Sequence, residues 1–127
     1  MALLILFCLL PYRPTVAERL AALTGPDFVD CGGYMPGEPD WEPHQRQVLD
    51  CAIKAVADKK PFQFRENQMN IEGASVWGLV GTADGRVLLY EWGSSIKQDA
   101  FITKPCPQPH LYMQGRWLRF GCTIPDE

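Results

Sequence analysis

"SVWGLVGTADGRVLLYEW", Ser75 to Trp92, decides the fold. Two runs rich in β-branched, aliphatic and aromatic residues flank Thr82-Ala83-Asp84-Gly85, and each run has the composition of a strand. Asp84-Gly85 predicts a hairpin, because both central positions of a type I′ turn need positive φ and this pair accepts it. With those two residues in the turn, Trp77 faces Trp92, Leu79 faces Tyr90 and Gly81 faces Leu88. Val76, Val80, Val87 and Leu89 then point the other way, with Glu91. Both faces therefore carry apolar side chains. One helix covers one face; the other must meet the chain termini, a second subunit or a ligand, or stay exposed.

Outward from the hairpin, "PFQFRENQ" alternates Phe62 and Phe64 with Gln63 and Arg65, as a half-buried strand does. Asp99–Lys104 is a further strand candidate, "CPQPH" a turn, and "GRWLRFGC" a last strand. Upstream, the period changes to 3.6. Val48, Leu49, Cys51, Ala52, Ile53, Ala55 and Val56 share one face of a helix that starts near Pro43, with Asp40 as its cap, and stops at Pro61. Residues 32–43 hold three glycines and three prolines and read as a surface loop. The expected fold class is α+β: one amphipathic helix packed on a four- to five-stranded antiparallel sheet, with two disulfides.

The chain has 127 residues, 46% of them hydrophobic and 21% charged, with a net charge of −3, so it is long enough for one domain with a real core. Mild acidity without a basic stripe argues against a nucleic-acid partner. The apolar run Ala2–Leu10 is too short to span a membrane but suits a secretory signal. Thr15-Val16-Ala17 offers small residues for cleavage before Glu18. The expected organisation is a signal at 1–17, a loose mature N-terminus at 18–30 with a helical turn at Glu18–Leu23, a domain at 31–122 and a tail at 123–127. No stable membrane insertion is expected once the signal is gone.

Five cysteines occur, and removal of Cys8 with the signal leaves four, which allow three pairings. The pairing local in sequence joins Cys31 to Cys51 and Cys106 to Cys122. Zinc ligation is the rival reading, but the C-x-x-C knuckles of zinc sites are missing. Free buried thiols in a cytosolic protein are the third.

The order of landmarks resembles that of small exported bacterial proteins of uncharacterised role. It runs through Asp30-Cys31-Gly32, Cys51, Pro61-Phe62, Ile71 to Ser75, Gly78 to Gly85, Cys106-Pro107 and Cys122, over about residues 30–122. Glu72 stands where that pattern has Asp, with two residues between it and Ser75. The resemblance implies export and the two local disulfides, and it implies no catalytic residues.

Catalytic chemistry has little to work with. His44 and His110 read as surface residues. With four cysteines paired no thiolate nucleophile is left. Metal-binding motifs are missing and nothing calls for a cofactor. Hydrolysis would need Glu72 and Glu91, or another acidic pair, to converge in a pocket. Tyr34, Trp41, Trp77, Tyr90 and Trp92 are the candidate binding residues, as core packing or as ring platforms. The expectation is a secreted or periplasmic, non-enzymatic binding or inhibitory module, meeting a partner protein through the uncovered sheet face or the Tyr34–Trp41 loop. A carbohydrate-binding module and a small carboxylate-dependent hydrolase are the alternatives.

Overall fold

The structure, a computed structural model, describes residues 14–70, 73–94 and 99–123. In chain order its elements are α1 (Val16–Thr24), β1 (Val29–Tyr34), α2 (Trp41–Ala57), β2 (Phe62–Asn70), β3 (Gly73–Gly81), β4 (Val87–Ser94), β5 (Asp99–Pro105), β6 (His110–Gln114) and β7 (Trp117–Gly121). The first five strands form one sheet in the order β1-β2-β3-β4-β5, and β6 and β7 form a separate ribbon. The α+β class holds, with both disulfides in the expected local pairing.

Two features of the expected architecture are corrected. The sheet is mixed, because β1 runs parallel to β2 while the remaining neighbours are antiparallel. The chain enters the sheet before α2, not after it, so β1, α2 and β2 make a crossover unit. Glycines 32 and 33 disguise β1 as loop. They fall where the ladder with β2 shifts register, between Asp30 and Gly33, and Gly32 takes a φ of 85°. Among the described residues there are also two helices. The turn expected at Glu18–Leu23 is part of α1, capped by Thr15 and Glu18 in a reciprocal capping box.

α1 supplies the second cover that the hairpin requires. Its Leu20 is fully buried against Val80, Leu88 and Tyr90, with Val16, Leu23 and Phe101 at the margin. α2 and the ribbon take the opposite face, closing a core around Val48, Leu49, Ala52, Phe62, Phe64, Leu79 and Leu118. The order is therefore helix, sheet, then helix plus ribbon. α2 begins at Trp41, two residues before the expected start, and Asp40 is left-handed (φ 61°) with no side-chain cap bond. Pro43 still lies in the first turn, where a missing N–H costs nothing.

The β3–β4 hairpin differs from the expected register by one residue. Trp77 lies opposite Glu91, Val76 opposite Trp92, Gly78 opposite Tyr90 and Gly81 opposite Val87. Only Gly85 of the turn has positive φ (87°), which suits a three-residue loop ending in a left-handed glycine and not a type I′ turn. Thr82 closes that loop: its N–H donates to Arg86 O at 2.8 Å, and its Oγ1 accepts from Arg86 N–H at 3.0 Å. The slip exchanges the faces of every β4 side chain relative to β3. Tyr90 consequently lies flat over Gly78 and donates its hydroxyl to Phe64 O at 2.6 Å.

Candidate functional site

β1 ends its pairing at Tyr34, opposite Glu66, while β2 runs on to Asn70. The chain turns away at Met35-Pro36, and a groove of about 440 Å³ opens beside the unpaired end of β2. Met35 and Pro36 form one wall, Trp117 and Arg119 of β7 the other, and Glu66, Gln68, Met69 and Trp77 line the space between. The volume falls within the range of small-molecule sites.

Tyr34, Glu66 and Trp77 stand in one row across β1, β2 and β3. Tyr34 and Glu66 are only 3% and 7% exposed. Burial raises the Glu66 carboxyl above the usual carboxylate range; a hydrogen bond from Tyr34, one from Gln68 and the charge of Arg119 oppose the rise. Burial, then the charge and acceptor of Glu66, push the Tyr34 phenol up. Phenol and carboxyl thus stand close enough to shift each other. Among the described residues Trp77 Nε1 has no hydrogen-bond partner, and the Tyr34 hydroxyl approaches the Glu66 carboxyl outside good hydrogen-bond geometry.

The walls are fixed from behind. Trp117 stacks on Trp41 with ring centroids 5.0 Å apart and planes at 29°, and the Arg116 guanidinium sits 5.5 Å from the Trp41 centroid. Trp41 is 9% exposed, whereas Trp117 keeps 41% of its surface open. Gln45, almost wholly buried on α2, ties down β7: its Nε2 donates to Arg116 O at 2.8 Å, and its Oε1 accepts from Leu118 N–H at 2.7 Å. Phe120 meets Trp77 edge-on at 5.6 Å. The Cys31–Cys51 bond joins β1 to the middle of α2, at the root of the Met35-Pro36 wall.

Among the candidate binding residues, the groove gathers Trp77 at its lining, Tyr34 beside Glu66 and Trp41 behind Trp117. Tyr90 and Trp92 are on the opposite sheet face; Tyr90 is fully buried and Trp92 half-buried. Glu91 is exposed and outside the groove lining, and Glu72 lies outside the described residues. His44 is exposed, and His110 stacks on Tyr112 at 5.8 Å. Glu66, Trp117 and Arg119 were not anticipated. Glu66 had a signal: it continues the inward phase set by Phe62 and Phe64, where a carboxylate is out of place.

Among the described residues no helix is long and apolar enough to cross a membrane, and no group of three or more His, Cys, Asp or Glu is placed to share a metal ion. Comparison with protein-family models, curated proteins and solved structures finds no match to this chain.

Proposed function

We propose that the chain is an exported, non-catalytic binding module that takes its ligand in the groove between the β1–α2 turn and β7. The observation that carries this reading is a buried carboxyl, with the Tyr34 phenol beside it and an indole N–H that has no partner among the described residues, at the edge of an open groove with braced walls. Buried polar groups of this kind weaken a fold unless they have a use, and open grooves are where they find one. α1 lies on part of the sheet face where a partner surface was expected, over Val80, Leu88 and Tyr90. The Tyr34–Trp41 loop, the other surface expected, borders the groove.

Export is supported by two disulfides, which persist in oxidising compartments, and by the signal-like run Ala2–Leu10. A cut after Ala17 would fall in the first turn of α1 and separate the Thr15 cap from Glu18.

Immobilised, oxidised protein screened against arrayed glycans and peptides tests the reading. A ligand held by the wild type and by Tyr112→Ala, which changes an exposed ring outside the groove, but released by Trp117→Ala, supports it. Identical profiles for wild type and Trp117→Ala overturn it.

A further inference from the structure

We infer that the groove binds a neutral sugar residue of a glycan, stacked on the open face of Trp117. This deepens the binding-module reading and rests on it. Trp117 is stacked on Trp41, lines the groove and is still 41% exposed, so an indole is held ready at little ordering cost when ligand arrives. The C–H bonds on one face of a pyranose carry partial positive charge and suit the negative face of an indole. Around that ring the groove offers the groups that hydroxyls need: the Glu66 carboxyl as acceptor, the Asn67 and Gln68 amides as both donor and acceptor, and the Arg119 guanidinium as donor. One acid and one base oppose each other, so the lining favours a neutral ligand over a charged one.

An extended peptide added to the edge of β2 is the competing occupant, and the geometry favours it less. Only Asn67–Asn70 project beyond the pairing with β1, short of a typical strand of about five or six residues. Proline at position 36 further limits the backbone donors of the facing wall.

The experiment titrates oxidised protein with neutral hexose and N-acetylhexosamine oligosaccharides, and separately with extended apolar peptides, following indole emission and heat. Near-UV circular dichroism monitors the fold of each variant. The expected result is saturable binding of at least one neutral oligosaccharide. Trp117→Ala should weaken it tenfold or more, the exposed Gln68→Ala should weaken it several-fold, and Tyr112→Ala should leave it unchanged. Should Trp117→Ala misfold, Gln68→Ala alone decides. Peptide binding lost in these variants, without sugar binding, overturns the sugar class and leaves the groove as a binding site. Silence in both arms overturns the sugar class and the module together.

Discussion

Gln45 provides the sharpest test of how the groove is built. Its carboxamide joins α2 to the backbone of β7 through bonds of 2.8 and 2.7 Å, and the side chain is 1% exposed. Gln45→Leu keeps the volume and removes both bonds. The Leu118 N–H is then buried without a partner, at a cost of about 1–3 kcal/mol, while Arg116 O, on an exposed residue that water reaches, loses about 0.5–1.5 kcal/mol. The sum, roughly 2–4 kcal/mol, is a large part of a typical domain's stability and corresponds to a fall in Tm on the order of 10 °C. Gln45→Glu separates the two bonds. The introduced carboxylate still accepts from Leu118 N–H but turns its second oxygen on a carbonyl, so it binds a proton more tightly folded than unfolded. Its stability should therefore be close to wild type below the ordinary carboxylate pKa and should fall as pH rises through the elevated native value. Urea unfolding of the oxidised variants between pH 3 and 8 measures this. Gln45→Leu within about 0.5 kcal/mol of wild type, or a flat pH profile for Gln45→Glu, refutes the clamp.

Glu66→Gln acts in the same sense on a native residue. The raised native pKa means that the wild type loses stability as pH climbs from the ordinary value through the folded one, so the variant gains on wild type above that window and matches it below, by denaturant midpoints. Lys59 is left-handed (φ 54°) where the Lys60 N–H closes back on Ala55 O at 3.0 Å, so Lys59→Gly should stabilise by roughly 0.5–1 kcal/mol in thermal scans. Tyr90→Phe should cost about 1–2 kcal/mol by loss of the bond to Phe64 O, and Gly78→Ala more, because its Cβ would lie 2.2 Å from that same oxygen. Replacing Cys106 and Cys122 by Ser, which opens a crosslink between positions 16 residues apart, should cost about 3 kcal/mol; alkylation followed by intact mass confirms the thiol count.

What the sequence disclosed followed from local chemistry. The 3.6-residue period of α2, the stop at Pro61 and the alternation of Phe62 and Phe64 depend on neighbours within a turn or two, and these elements stand where expected. The local cysteine pairing was readable for the same reason. What escaped depends on distant partners. β1 is a strand because β2 lies beside it, despite the glycines at 32 and 33. β6 follows a proline-rich turn and finds its ladder partner in β7. The hairpin slipped because Asp84-Gly85 fits two loop lengths, and Thr82 selected the longer one through its bonds to Arg86. In the groove, Trp77 was named but Trp117 was not. Its exposure depends on stacking against Trp41, 76 positions earlier (117 − 41), which no spacing rule encodes.

β3 is notched on both sides. Gly78 makes room for the Tyr90 ring on one face, and Gly81 makes room for Phe62 on the other. A β3–β4 hairpin shifted by one residue would set the Tyr90 ring against Leu79, and a β2–β3 pairing shifted by one would set Phe62 against a residue with a side chain. Each notch thus favours one alignment of β3 with a neighbour, Gly81 with β2 and Gly78 with β4, where the turn itself tolerates two answers.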